Sequence, residues 1–273
     1  MGDVIAPDPL RPRRTGHLRF ALLGSGSRGN GLLVECGQTA VLVDCGFTLK
    51  ETERRLARLG RAAGELSAIL VTHEHGDHVD GVGPLARKYN LPVWLTAGTH
   101  AALGTAETGR LPQCRLFAAH DDFSIDAIAV HPYTVPHDAR EPCQFVFSDG
   151  ARRLGLLTDA GHITPHIETQ LTGCNALILE CNHDSDMLAE GPYSASLKKR
   201  VGGPLGHLNN DAAAALLSAL DTGRLQHIVA AHLSEKNNTP WLVHSALGAV
   251  LGGTTQRVEI ASQEGGLAWR ELI

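Results

Sequence analysis

The sequence has no apolar run of 18 or more residues, so no membrane span is indicated. Its first 17 residues hold Pro7, Pro9, Pro12 and a basic Arg11, Arg13, Arg14 cluster but no hydrophobic stretch of signal-peptide type. They are expected to form a disordered lead-in to a single domain over residues 18–273. No C-x-x-C pair occurs, and six cysteines (Cys36, Cys45, Cys114, Cys143, Cys174, Cys181) fall short of a secreted disulfide scaffold. They read as small buried hydrophobes in a reducing cytoplasm. Basic excess is lacking too: 24 Lys and Arg against 29 Asp and Glu give a net charge of −5. That excludes a general coat for nucleic acid and leaves any polyanionic substrate to a local patch or to bound metals. There is no linker, repeat or low-complexity segment after residue 17, and 43% hydrophobic against 19% charged residues argues for a compact globule.

What is present is concentrated in residues 66–81, where His73, His75, Asp77 and His78 place four potential metal ligands in six consecutive positions. The apolar run 68–71 reads as a buried strand that stops where this cluster begins. His73 and His75 are two apart, so in extended geometry their imidazoles project the same way while Glu74 faces the opposite side. Gly76 suits a tight turn, after which Asp77 and His78 open the next segment, close enough to hold a second ion. Neutral imidazole with carboxylate fits Zn²⁺, with Mn²⁺ or Fe²⁺ as alternatives. A solvated, histidine-rich turn would not need these ligand types at strand-turn-helix spacing.

Around this stretch, strands are expected at 18–23, 31–36, 39–43, 92–95, 123–130, 144–147, 154–157, 176–179 and 226–231, with 257–261 and 267–272 as a closing pair. Helices are expected at 49–59, 79–89, 97–103, 212–220 with Asn209 or Asn210 as cap, and 241–251. Strands interleaved with helices in both halves point to α/β layering around a two-sheet core. The loop Gly24-Ser25-Gly26-Ser27-Arg28-Gly29-Asn30 offers two readings, a backbone cradle for an anion or a plain glycine-rich hairpin. In the first reading Ser25, Arg28 and Asn30 are the candidate substrate contacts. Past the ends of predicted strands lie three more ligand types, His137, Asp159 and His232, and also Asp44.

His-x-His-x-Asp-His after a buried strand resembles the signature of the metallo-β-lactamase-fold hydrolases. The resemblance implies a four-layer αββα sandwich and two divalent ions. It places His73, His75 and His137 on one ion, Asp77, His78 and His232 on the other, and Asp159 between them. Asp44 would support this shell by hydrogen bonding. Two ions sharing a carboxylate can also share a hydroxide and stabilise charge on a phosphoryl or carbonyl oxygen.

A narrower resemblance covers most of the chain after residue 18. The 24–30 loop, Val135-Pro136-His137-Asp138-Ala139, Leu157-Thr158-Asp159, Glu180-Cys181-Asn182-His183-Asp184, Gly206-His207-Leu208-Asn209-Asn210 and the run from Ala231 to Asn238 look like the YycJ/WalJ-type exonucleases. Gly-His-Leu-Asn-Asn departs slightly from the Gly-His-Leu-Ser-Asn of that pattern and leaves the His in place. A similar order of motifs in RNase Z implies His207 as general acid, oriented by Glu180, with Asp77 completing the catalytic set. His183 is implied as a phosphate contact or a support of the metal shell. Arg28, Lys198, Lys199, Arg200 and Lys236 are the local cations available to a phosphate backbone. The expected activity is phosphodiester hydrolysis, as a DNA exonuclease acting on nucleic acid without membrane involvement. A small-molecule hydrolase of the same fold (a cyclic phosphodiesterase, or a lactone or thioester hydrolase) and a non-catalytic binding module are the alternatives.

Overall fold

The computed structural model describes residues 16–253 and 258–273. Residues 1–15 of the expected lead-in lie outside the described residues. The chain opens with antiparallel strands β1 (Arg19–Gly24), β2 (Gly31–Cys36) and β3 (Thr39–Val43). Helix α1 (Leu49–Arg58) leads to β4 (Ala68–Leu70), which runs parallel to β3. Short helices α2 (Gly76–Val79) and α3 (Val82–Tyr89) precede β5 (Pro92–Thr96), α4 (Ala97–Thr108) and β6 (Gln113–Phe117).

The second half begins with β7 (Phe123–Ile125), β8 (Ile128–Thr134), β9 (Cys143–Ser148) and β10 (Arg153–Leu157). Helix α5 (Pro165–Leu171), β11 (Ala176–Glu180), α6 (Ser185–Glu190), α7 (Ala195–Val201) and α8 (Asn210–Ala219) follow. Strand β12 (His227–Ala231), α9 (Pro240–Val250), β13 (Val258–Ile260) and β14 (Leu267–Glu271) complete it. Among the described residues the strands form two seven-stranded sheets, ordered β14-β1-β2-β3-β4-β5-β6 and β13-β12-β11-β10-β9-β8-β7.

Strand periodicity builds the layers. In β2, Leu32 and Val34 point between the sheets and meet a core that includes Phe145 and Phe147, whereas Leu33 points outward to Leu56 of α1 and Leu85 of α3. In β11, Ala176 and Ile178 face the inter-sheet core while Leu177 and Leu179 pack with Leu216 of α8 and Val243 and Leu247 of α9. Strands buried on both faces must be apolar at every position, which is why they read as unbroken hydrophobic runs. The result is the four-layer αββα sandwich. Among the described residues no helix is long and apolar enough to cross a membrane.

Several elements differ from expectation. The helix expected at 79–89 is split at Asp80-Gly81, where a side chain on Gly81 would lie 2.0 Å from the Phe47 carbonyl oxygen. The strand expected at 123–130 is a hairpin, turned at Asp126 with φ 49°. The expected closing pair is divided between sheets, β13 joining β12 and β14 joining β1. Each thereby extends an existing sheet edge, and Leu267 and Leu272 enter the inter-sheet core. Strand β6 and helix α7 were not anticipated, because β6 is exposed at four of its five positions and α7 buries no residue, so neither shows an amphipathic pattern.

Candidate metal centre

The candidate ligands, and the Asp44 that supports them, sit just past the C-terminal ends of strands, along one edge of the sandwich. Asp44 follows β3, the His73–His78 turn follows β4, His137 follows β8, Asp159 follows β10 and His232 follows β12. Asp44, Asp159 and His232 adopt φ of 59°, 55° and 56°. This left-handed backbone is uncommon outside glycine, is tolerated better by Asp and His than by most residues, and is found at functional sites.

One group is formed by nitrogens. His73 Nε2 lies 3.0 Å from His75 Nδ1, which lies 3.3 Å from His137 Nε2. His137 Nδ1 donates to the Gly206 carbonyl at 3.0 Å, leaving Nε2 as the free lone pair. Thr72 Oγ1 donates to Asp44 Oδ2, so its contact with His73 Nδ1 at 2.9 Å is accepted from the ring and again leaves Nε2 free. The second group is Asp77 Oδ2, which lies 3.5 Å from both His78 Nε2 and His232 Nε2. Asp159 reaches both groups, with Oδ2 3.4 Å from His78 Nε2 and Oδ1 3.6 Å from His232 Nε2 and 4.0 Å from His137 Nε2.

The residues fit divalent cations. Asp159 Oδ2 and His232 Nε2 are buried without a hydrogen-bond partner, an arrangement that is costly unless something else binds there. His73, His75 and His137 each turn a ring nitrogen into one space, within 4.8 Å of one another, as the ligands of a single cation must. Burial opposes the ionisation of Asp159, yet His232, His78 and His73 hold its carboxyl well below the usual carboxylate range. Burial likewise opposes a charge on His232, but Asp159, Asp77 and Glu180 pull its imidazole up to about 10. The carboxylates thus draw positive charge into the cluster, and a bound cation would take the place of those protons.

Beside this cluster the wholly buried Glu180 accepts four hydrogen bonds. Oε1 receives Nδ1 of His207 at 2.9 Å and Nδ1 of His232 at 3.1 Å, while Oε2 receives the N–H of Ala160 and of Leu208. Burial would lower the His207 imidazole, but Glu180 and Asp159 outweigh it and raise it. The ring of His207 stacks on His232 at 5.2 Å and meets His137 edge-on at 5.3 Å. His183, buried nearby, contacts Asn182 Oδ1 through Nδ1, and burial lowers its imidazole.

The 24–30 loop resolves toward the plain hairpin. The N–H groups of Ser25, Gly26, Arg28, Gly29 and Asn30 are all engaged by protein acceptors. Ser25 Oγ accepts the His232 N–H at 2.8 Å, and Asn30 Nδ2 contacts Asp77 Oδ2 at 3.3 Å and His78 Nε2 at 3.2 Å. Both steady ligands of the second group. Arg28 turns to Glu235 and Glu264 at 2.6 and 2.9 Å. Asp44 holds His78 Nδ1 at 2.8 Å and the Thr72 N–H at 2.9 Å. Sequence reasoning gave no role to Thr72 or Asn182, whose side chains orient His73 and the His232 backbone; the stretches that hold them were read for their His, Asp and Glu residues.

Comparisons with known proteins agree with this geometry. The sequence profile of the Beta-lactamase superfamily domain matches residues 39–264. Exodeoxyribonuclease YycJ of Bacillus anthracis is 38% identical over 236 residues, covering 86% of this chain and 89% of the relative. Exodeoxyribonuclease WalJ of Streptococcus pneumoniae is 34% identical over 233 residues, covering 84% and 86%. The crystal structure of the metallo-β-lactamase-fold protein YhfI from Bacillus subtilis superposes with a TM-score of 0.74 at 17% identity, covering 94% of this chain and all of that one. This fold family implies bound divalent metal ions. The chain is a metal-dependent hydrolase of the metallo-β-lactamase superfamily, in the branch of the YycJ and WalJ exodeoxyribonucleases.

Proposed function

We propose that this protein is a two-metal phosphodiesterase that trims nucleic acid, preferentially DNA, from an end, with Zn²⁺ as its resident metal and Mn²⁺ or Fe²⁺ able to substitute. The carrying observation is the pair of ligand groups joined by Asp159, with His207 at their margin. His73, His75 and His137 would hold one ion, Asp77, His78 and His232 the other, and Asp159 would serve both. When bound, the ions lower the pKa of a water molecule and offset negative charge on phosphoryl oxygens. The names of the YycJ and WalJ relatives support DNA as substrate.

The chain's own residues supply the proton. His207 Nδ1 is bound to Glu180, so Nε2 is the atom left to act, and the carboxylate keeps the ring protonated at higher pH than a free imidazole. As the new P–O bond to water forms and the bond to the sugar oxygen breaks, Nε2 gives its proton to that departing oxygen. Ser25, Asn30 and Asp44 fix the backbone or rings of the ligands, and His183 borders the substrate path. A panel of 5′- and 3′-labelled DNA and RNA ends, incubated with the Zn²⁺- or Mn²⁺-loaded protein, tests this reading. Progressive shortening of DNA that is lost in His207→Ala with metal content retained is expected; no cleavage of any labelled end would overturn it.

A further inference from the structure

The turns after β11 and β12 lie side by side next to the metal centre. Asp184 N–H donates to the Asn237 carbonyl at 2.8 Å, and a side chain on Gly191 would lie 2.5 Å from Asn237 Oδ1. This close approach sets the 191–193 loop against the 234–238 turn, which begins two residues after His232. Lys236 Nζ stands 5.7 Å from the Tyr193 ring centroid. Trp241 follows in the first turn of α9 and is 72% exposed. It lies about 200° around the helix from Val243, the side chain that buries this end of α9. An exposed tryptophan three residues beyond that turn offers a flat face on which another ring can stack.

Cations stand beside it, and the adjacent Glu235 is already paired with Arg28. Helix α7 ends in Lys199 and Arg200, and Arg200 Nε bonds Asp138 Oδ2 at 2.6 Å, while the other oxygen of Asp138 is 3.5 Å from His137 Nε2. Arg200 thus stands at the lip of the metal centre, and Lys236 lies against Tyr193 on the turn that follows His232.

We infer that Tyr193, Lys236 and Trp241, continued by Lys199 and Arg200, form a platform for single-stranded nucleic acid, bases stacking on the rings and phosphates following the cations. The inference rests on nucleic acid being the substrate of the adjacent centre. Stacking on an aromatic accepts any base, so the platform would guide a strand without reading its sequence.

The test uses metal-loaded full-length protein and a fluorescein-labelled phosphorothioate oligothymidylate of twelve residues, followed by anisotropy. Trp241→Ala and Tyr193→Ala are each expected to weaken binding roughly 5- to 150-fold, with Trp241→Phe recovering most of it. Hydrolysis of bis(p-nitrophenyl) phosphate, too small to reach the platform, should be unchanged, which also reports a folded, metal-loaded variant. Equal binding by wild type and both Ala variants overturns the platform, even if the wild type trims DNA. Wild type that trims no DNA end, but binds the oligomer through Trp241, overturns the nuclease reading and leaves the platform standing. Wild type that does neither overturns both. A dimer broken by Trp241→Ala with oligomer binding intact would make the surface a contact between copies and overturn the inference.

Discussion

Glu180 Oε1 lies 2.9 Å from His207 Nδ1, so the carboxylate fixes which end of the imidazole is free to work. Because the same carboxylate also serves His232, its loss and the loss of His207 should differ. His207→Ala is expected to lower kcat about 10²- to 10⁴-fold with metal content retained. Glu180→Gln should lower kcat and also loosen metal. Steady-state kinetics paired with elemental analysis separates the two.

Asp44 touches no proposed substrate atom, yet it holds His78 Nδ1 and Thr72. Asp44→Ala should weaken metal affinity about 10- to 100-fold, with kcat largely restored at saturating Zn²⁺. Titration against a chromophoric chelator reads the affinity directly. An unchanged affinity would mean that His78 is oriented without help from Asp44.

Removal of metal should lower thermal stability, since the ligands converge only in the folded chain. At a free metal concentration a hundred times Kd, the bound ion adds about 2.7 kcal/mol, so chelation should lower Tm by roughly 5–10 °C. Differential scanning fluorimetry with and without EDTA measures this. Asp159→Asn should show a much smaller difference, because the shared carboxylate is gone.

Phe145 is fully buried between the two sheets, with Phe117 and Phe147 as ring neighbours. Phe145→Ala should cost about 3–5 kcal/mol, read as a lowered urea midpoint.

Glu51 binds Arg54 and Arg55 on α1, and the Arg54 hydrogen bond, with that of Arg55, holds its carboxyl down at about 2 from an ordinary 4.5. A depressed carboxylate stabilises the fold above its unfolded value and ceases to do so as pH falls through its folded one. The stability advantage of wild type over Glu51→Gln should therefore be constant above pH 5 and disappear between about 4.5 and 2. Urea denaturation at a series of pH values follows it.

Much of the architecture was legible because buried strands are apolar at every position and their ends are marked by a change to Asp or His. That is how Asp44, His137, Asp159 and His232 came to be set beside the His73–His78 turn; the structure groups the last three with its histidines and bonds Asp44 to His78. Features governed by distant partners left no local trace. Nothing near Leu267 indicates that it crosses to pair with Leu22 rather than with β13. Arg28 looked available to a phosphate, but its partners Glu235 and Glu264 lie over 200 positions away. Ser25 and Asn30 stood in a glycine-rich stretch that suggested an anion cradle, and only the fold reveals that they steady His232 and Asp77.

The left-handed corners at Asp44, Asp159 and His232 carry an evolutionary corollary. Coordination chemistry and backbone sterics there draw on nearly the same short menu of amino acids, with asparagine and glycine the readiest replacements. Glycine would keep each bend and discard its side chain's oxygen or nitrogen, and asparagine at the two Asp corners would keep the bend and discard the charge. A lineage could in this way shed its reaction one corner at a time and still inherit an intact sandwich.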